Sequence, residues 1–263
     1  MSGTAKRAFL AALMAGIAAP ALAADLIEAP AVVPVVQDPF GGWYLRGHIG
    51  MSNQRLGELF STDMVTLPDN HDFLNPGEFD SAPTFSLGFG YQFNPWLRGD
   101  ITGEYRGKAS FSALDRYSDP SVDGDPTTWE ATNDYSAEKS EWLVLANAYV
   151  DLGEWRSIVP YVGAGIGASR NTIHNFTDVN EVTAGVSYGD SDPQWNFAWA
   201  LHAGLGYRAT ENLTVDFGYS YLDLGDARTK PLVPYDNSTT FAPMQFRDIT
   251  SHDLKLGIRY ALH

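Results

Sequence analysis

A strict alternation of apolar and polar residues, repeated along most of the chain, is the feature that most constrains its fold. Because neighbouring side chains on a β-strand point to opposite faces, a period of two indicates strands. In the clearest run, residues 85–94, aromatic residues and leucine occupy every odd position, and Ser, Gly, Gln and Asn occupy the even ones. Comparable runs begin at Trp43, Leu97, Trp142, Val162, Trp195, Leu213 and Leu254. Together they predict about eight strands, an even number, as closed antiparallel membrane barrels usually have.

The two faces of these strands differ sharply in chemistry. One face is large, apolar and aromatic in almost every strand, whereas the other mixes both signs of charge with Gly and Ser. A soluble eight-stranded barrel would place its apolar residues inside, and a densely charged face cannot form the dry core of a soluble protein. Lipid makes the apolar face a suitable exterior. We therefore predict an all-β fold, a transmembrane antiparallel up-and-down β-barrel, in preference to a β-sandwich with an aromatic core.

The N-terminus has the pattern of a cleavable export signal. Lys6 and Arg7 precede an apolar run over residues 8–19, and Ala21-Leu22-Ala23 supplies the small residues of a cleavage site. This run is shorter than the roughly 20 residues that a spanning helix needs. We predict three parts: a signal peptide over 1–23, a Pro-rich periplasmic segment over 24–41 and a barrel domain over 42–263.

Charge and cysteine content exclude several classes of function. The formal net charge is −15 at pH 7, and a nucleic-acid surface needs clustered Lys and Arg instead. The chain has no cysteine, which removes disulfides, Cys-ligated zinc and thiol chemistry. We expect no nucleic-acid partner.

The connections between the predicted strands alternate in length. Short turns are predicted at 94–95, 153–159 and 209–212. Long segments rich in Asp, Asn, Pro, Ser and Thr are predicted as loops at 53–82, 107–140, 171–193 and 223–248. Bacterial membrane barrels have short periplasmic turns and longer extracellular loops. The long segments are therefore expected to form an acidic extracellular surface, where an unknown ligand could bind.

Several segments carry glycine-aromatic alternation in a characteristic order, among them GGWYLRGHIG, SLGFGYQFNPWLRGDITGEYR, PYVGAGIGASR and LTVDFGYSYLDLG. In these segments the chain resembles the small outer-membrane barrels of α-proteobacteria, the Omp25/Omp31-like or porin-family proteins. The resemblance implies an OmpA/OmpX-like barrel in the outer membrane, surrounded by lipid and lipopolysaccharide and inserted by the barrel-assembly machinery. Such barrels usually end on an aromatic residue, whereas this chain ends Tyr260-Ala261-Leu262-His263. An atypical assembly signal is therefore expected.

The predicted strands assign residues to the interior and to the membrane boundaries. The charged residues expected to form an interior network are Arg46, Arg98, Asp100, Glu104, Arg106, Asp216, Asp253, Lys255 and Arg259. Aromatic residues at strand ends are expected to form girdles at the two lipid–water boundaries: Trp43, Phe93, Trp96, Tyr105, Trp142, Trp195, Tyr207, Tyr221 and Tyr260. Because an eight-stranded barrel is just wide enough for its side chains to fill it, a plugged lumen is favoured over a narrow ion path.

No residue pattern predicts catalysis, a metal site or a cofactor. None of the six histidines has a serine two positions away, and His252 has only Thr250 nearby on its face. The acidic segment 119–125 lacks the spacing of a calcium loop, and Gly163, Gly165 and Gly167 precede no helix. The leading hypothesis is a non-enzymatic outer-membrane protein with a structural or surface role. The second hypothesis is a narrow diffusion channel, and the third is a lipid A-modifying enzyme.

Overall fold

A computed structural model describes residues 41–66, 71–118, 131–182 and 184–262. The predicted signal peptide and nearly all of the Pro-rich segment lie outside the described residues. The strands are Gly42–Arg55 (β1), Glu58–Phe60 (β2), His71–Phe79 (β3), Ala82–Gln92 (β4), Leu97–Tyr117 (β5), Ala131–Asp151 (β6), Ile158–Asn180 (β7), Val186–Asp192 (β8), Gln194–Arg208 (β9), Leu213–Pro234 (β10) and Gln245–Leu262 (β11). One short helix, Thr62–Thr66 (α1), is also described.

Eight of these strands close into an antiparallel ring, counted over the described residues, in the order β1-β4-β5-β6-β7-β9-β10-β11. β11 returns to β1, where Leu262 pairs with Trp43 and Leu256 pairs with Ile49. Closure gives each of these eight strands a neighbour on both sides, so the ring presents no open edge of unpaired backbone groups to lipid. The predicted transmembrane barrel of about eight strands is confirmed.

We call the part of the wall next to the short connections the lower barrel; these connections are 93–96, 152–157 and 209–212. Here apolar residues face outward and polar residues face inward, as predicted. Its outward side chains are apolar and exposed. They include Leu45, Ile49, Phe85, Leu87, Phe89, Ile101, Val144, Ile166, Phe197, Leu201, Leu205, Phe217, Leu254, Leu256 and Ile258. A continuous apolar exterior on a closed ring of strands is the surface that a hydrocarbon layer requires. The inward positions of the same strands carry the charged residues.

The wall continues well beyond this apolar band. β5, β6, β7 and β10 contain 21 to 23 residues, about twice the 9–11 residues needed to cross a bilayer. Three short strands add to this upper wall. β2 pairs with β11 and β3 pairs with β5, whereas β8 lies between β7 and β10 and pairs with both. The prediction of long loops was therefore wrong for much of its length, because residues 107–117, 131–140, 171–180 and 223–234 belong to strands of the ring. Several of their polar residues, such as Ser110, Ser112 and Asp134, face water from a strand, and composition alone could not distinguish that from a loop.

The sidedness of β5 reverses at a bulge between Arg106 and Ala109. Below the bulge, Ile101 and Tyr105 face outward. Above it, Lys108, Ser110 and Ser112 are exposed and Ala109, Phe111 and Ala113 are buried. An extra residue in one strand shifts its side chains to the opposite faces. The extension therefore has the apolar-inside arrangement of a water-soluble barrel.

The interior of the extension is an apolar cluster of buried side chains. Its aromatic members include Phe79, Phe111, Phe176 and Phe246, and its aliphatic members include Ile173, Leu222, Leu224, Leu232, Met244 and Ile249. Phe246 lies at its centre, with ring centroids 4.9 Å from Phe111, 6.1 Å from Phe79 and 6.2 Å from Phe176. The extension therefore has a hydrophobic core of its own.

No helix in the described part of the chain is long and apolar enough to cross a membrane.

We expect the outer face of β5 to tolerate a charge above the bulge and not below it. Ile101→Arg places a guanidinium in the middle of the apolar band, and should lower the free energy of unfolding by about 2–4 kcal/mol. Ser110→Arg makes the same addition to the water-facing extension, and should cost less than about 1 kcal/mol. Urea titration of both variants in lipid vesicles measures the difference. Equal losses would mean that the bilayer does not end near the bulge.

Candidate functional site

The interior of the lower barrel contains a network of buried ion pairs with Arg106 at its centre. The Arg106 guanidinium donates two hydrogen bonds to Asp253, with Nη1 2.6 Å from Oδ2 and Nη2 2.9 Å from Oδ1. Nη1 also lies 2.7 Å from Oε1 of Glu104. A bidentate pair between planar groups fixes geometry as well as charge. Arg106 and Asp253 therefore join β5 to β11 across the lumen with no exposure to solvent.

A second cation lies on the side of Arg106 towards the apolar cluster. The Lys139 ammonium lies 2.5 Å from Oε2 of Glu141 and donates to Oε1 of Gln54 at 2.9 Å. Oε1 of Glu141 in turn lies 3.5 Å from Nε of Arg106. Lys139 and Glu141 are almost fully buried, so two cations and their carboxylates form one continuous layer across the barrel.

The network extends towards the short turns. Nη1 of Arg46 donates to Oδ2 of Asp100 at 2.6 Å and to the Tyr149 hydroxyl at 2.7 Å. Arg98 donates from Nε to Asp151 at 3.1 Å, and its guanidinium carbon lies 4.1 Å from the ring centroid of Tyr149. Cation–aromatic contacts of this kind stabilise a desolvated guanidinium.

All nine charged residues expected in the lumen have their side chains there. Seven are buried in the protein: Arg46, Arg98, Asp100, Glu104, Arg106, Asp216 and Asp253. The side chains of Lys255 and Arg259 are 11% exposed. Lys255 lies 2.7 Å from Glu104, and Arg259 lies 3.4 Å from Asp216. The structure brings all nine into ion pairs.

Three members of the network were not predicted from the sequence: Lys139, Glu141 and Asp151. Lys139 fell in a segment assigned as a loop, and Leu143 and Leu145 interrupt the polar face of β6. Both leucines are buried in the interior. The alternation within β6 could have identified the three network members, because every second residue from 139 to 151 faces inward. With these additions the network balances six cations with six carboxylates, counted over the described residues.

The aromatic residues predicted as girdles mostly project from the wall. Eight have exposures between 36% and 65%: Trp43, Phe93, Trp96, Tyr105, Trp142, Trp195, Tyr207 and Tyr260. The ninth, Tyr221, is only partly exposed and contacts Trp199 and His252, with ring centroids 5.6 Å and 5.3 Å away.

Two histidines contact serines inside the barrel, although no sequence motif indicated it. Nε2 of His48 accepts from Arg46 at 2.6 Å, so Nδ1 carries the proton and donates to Ser86 at 2.9 Å. This imidazole therefore cannot take the proton of Ser86.

The second pair is His202 and Ser220, 2.8 Å apart between Nδ1 and Oγ. Nε2 of His202 lies 3.1 Å from Oδ1 of Asn147. A Ser-His-Asn alignment can support nucleophilic chemistry where a substrate can reach it. The cavity beside these groups has a volume of about 30 Å³, which is about the volume of one water molecule. An acyl or glycosyl substrate does not fit there.

Within the described ranges, no group of three or more His, Asp or Glu residues is positioned to hold a metal ion.

Comparison with known proteins places this architecture in a family. The model of the outer membrane protein beta-barrel domain matches residues 9–261. The chain belongs to this family. An uncharacterized protein of Brucella abortus is 30% identical over 231 residues, which cover 84% of this chain and 81% of that protein. This outer membrane barrel is therefore located in the cell outer membrane.

Two further proteins are similar to this outer membrane barrel. The outer membrane protein PagN of Salmonella typhimurium is 26% identical over 229 residues, covering 84% of this chain and 90% of PagN. Among solved structures, the outer membrane protein OprG from Pseudomonas aeruginosa is 14% identical with a TM-score of 0.49, and the match covers 85% of this chain and 96% of OprG.

Removing the central cation should destabilise this outer membrane barrel strongly. Arg106→Met leaves Asp253, Glu104 and Glu141 without their common partner in a buried site, and should cost about 3–5 kcal/mol. Arg228→Met removes the same group from an exposed pair with Asp192, and should cost less than about 1 kcal/mol. Equilibrium unfolding in lipid vesicles compares the two variants. A loss below 1 kcal/mol for Arg106→Met would show that the network does not hold the strands together.

Proposed function

We propose that this protein is a closed, non-enzymatic outer-membrane barrel that serves a structural and surface role in the cell envelope. The observation that carries the proposal is a lumen filled by two successive layers, one of paired charges and one of apolar side chains. The membrane-spanning part anchors the wall, and the strand extension presents an acidic surface to the exterior.

The charged layer opposes ion flow because its groups are already paired. Arg106, Lys139, Glu141 and Asp253 are each no more than 1% exposed. An ion that passed between them would have to separate a buried pair and leave the partner charge desolvated. The apolar layer above offers no ligand to a dehydrated ion, and its aromatic rings are in mutual contact.

The enclosed position of His48–Ser86 and His202–Ser220 opposes an enzymatic role for these two pairs. A third pair, Ser140 and Nε2 of His174 at 2.8 Å, lies on the outward face of the extension. His202 and Ser220 are next to space for about one water molecule, whereas lipid A would have to approach from the outer wall. A lipid A-modifying activity needs a nucleophile and a base on that wall, within reach of the headgroup.

The refolded protein should be electrically silent in planar bilayers. A control bilayer containing a general porin shows that insertion and recording are effective. Replacement of one layer alone, by Arg106→Ala with Asp253→Ala or by Phe111→Ala with Phe246→Ala, should leave the membrane silent because the other layer remains. Reproducible unitary currents from the wild-type protein would establish the narrow channel instead.

A separate measurement addresses the enzymatic alternative. Lipid A extracted from cells that overproduce the protein should have the same mass spectrum as lipid A from cells with an empty vector. A new acylation or deacylation product would contradict the proposal.

A further inference from the structure

A cavity of about 470 Å³ opens at the far end of the strand extension. Its wall combines residues from β5, β6, β7, β8 and β10 with residues from α1 and from the segment between β10 and β11. It lies above the apolar cluster and shares Leu232, Met244 and Tyr135 with it. This volume is within the range of small-molecule sites, which are typically about 300–1,000 Å³.

One side of the cavity is acidic. Asp115 is fully buried and accepts hydrogen bonds from the Tyr135 hydroxyl at 2.7 Å and from the backbone N–H of Asn133 at 2.9 Å. Nε2 of His71 lies 2.8 Å from Oδ2 of Asp115, the same oxygen that accepts from Tyr135. Asp115 is therefore already held by protein groups.

Asp178 on β7 lines the same cavity, and its hydrogen bonding differs from that of Asp115. Its Oδ1 is buried and has no hydrogen-bond partner within the described residues. Burial, and then the negative charge of Asp115, raise the pKa of Asp178 to about 7. A carboxylate in this position is stabilised by a cation brought from outside.

The remaining charges around the cavity have the same sign. The charged side chains among its described lining residues are Asp63, Asp115, Asp178 and Asp236. These lining residues include no Lys, Arg or His. The opposite side is apolar, formed by Met64, Val186, Leu232, Pro234, Phe241 and Met244. An anionic wall facing an apolar one selects a ligand with a positive end and a hydrophobic body.

We propose that this cavity binds a small organic cation with an apolar body, such as an arylalkyl ammonium, with its charge at Asp178 and its body against Leu232, Phe241 and Met244. This ligand site goes beyond the structural role proposed above and does not depend on a closed lumen. A tyrosine ring in the wall, Tyr135, adds a surface that favours cations.

Affinity for such a cation should rise with pH across the neutral range. The titratable groups that line the cavity with Asp178 come from four elements: Asp115 and Tyr117 on β5, Tyr135 on β6, Asp63 on α1, and Tyr235 and Asp236 after β10. His71 on β3 lies beyond Asp115. Ligand binding favours ionised Asp178, so protons and cation compete. With a pKa of about 7, the ionised fraction rises roughly tenfold between pH 6 and pH 8, and affinity should follow it.

The experiment uses the full-length protein in lipid nanodiscs and three probes that share a phenylethyl body: phenethylammonium, neutral 2-phenylethanol and phenylacetate. Saturation-transfer NMR and equilibrium dialysis against empty nanodiscs separate binding to protein from partition into lipid. Phenethylammonium should bind at least about tenfold more tightly than the neutral probe, because a hydrogen bond to a charged group is stronger than one between neutral groups. Phenylacetate should not bind.

Asp178→Asn keeps the shape of the site and should lower phenethylammonium affinity by at least about tenfold. Asp190→Asn is the matched control, because Asp190 is on the neighbouring β8 with a side chain 85% exposed and does not line the cavity. Equal binding of the three probes, no binding, or equal effects of the two variants would overturn the proposal. If Asp178→Asn does not fold, the pH series on the wild-type protein decides, and an affinity independent of pH between 6 and 8 counts against the site.

Discussion

The medium outside the wall determines what the barrel can hold inside it. Where hydrocarbon covers the exterior, each strand places its large apolar side chains outward, and the alternate positions are left for polar groups. Those groups lie in a space too narrow for bulk water, so every charge needs a partner within the lumen. Arg106 and Asp253 meet this need with a bidentate pair. The ion-pair network is thus a consequence of the lipid-facing exterior.

The same reasoning accounts for the change at the bulge between Arg106 and Ala109. Beyond it the exterior faces water, polar side chains such as Lys108 and Ser110 turn outward, and the interior fills with Phe111 and its aromatic neighbours. One barrel therefore contains both possible arrangements, a polar interior within lipid and an apolar interior within water. The charged layer and the apolar cluster meet at their junction, and the upper core borders the cavity at the far end of the extension.

The sequence predicted the membrane-spanning part well because its signal is local. The run from Phe85 to Asn94 shows which residues share a face without any knowledge of the neighbouring strands. The inward positions of β5 were predicted in the same way, from the alternation within β5 itself. Lys139 was missed because its segment has the composition of a loop, and only pairing with β5 and β7 shows that it is a strand. Glu141 was missed because it lies between that predicted loop and the predicted strand that begins at Trp142.

The cavity at the far end of the strand extension could not be predicted for a related reason. Asp115 and Asp178 are on strands that are not neighbours in the ring, and His71 reaches Asp115 from a short strand that the sequence analysis placed in a loop. Such contacts depend on the register between strands and on the closure of the barrel. Neither property is encoded in the alternation of a single segment.

The most direct test is a spin-label scan along β5 in lipid vesicles, from residue 99 to residue 114. Paramagnetic oxygen and a water-soluble nickel complex report whether each label faces lipid or water. The account predicts that oxygen access peaks at positions 101, 103 and 105, and that nickel access peaks at 108, 110 and 112, with the phase changing at the bulge. An unbroken alternation, with lipid access at odd-numbered positions beyond 107, would contradict it.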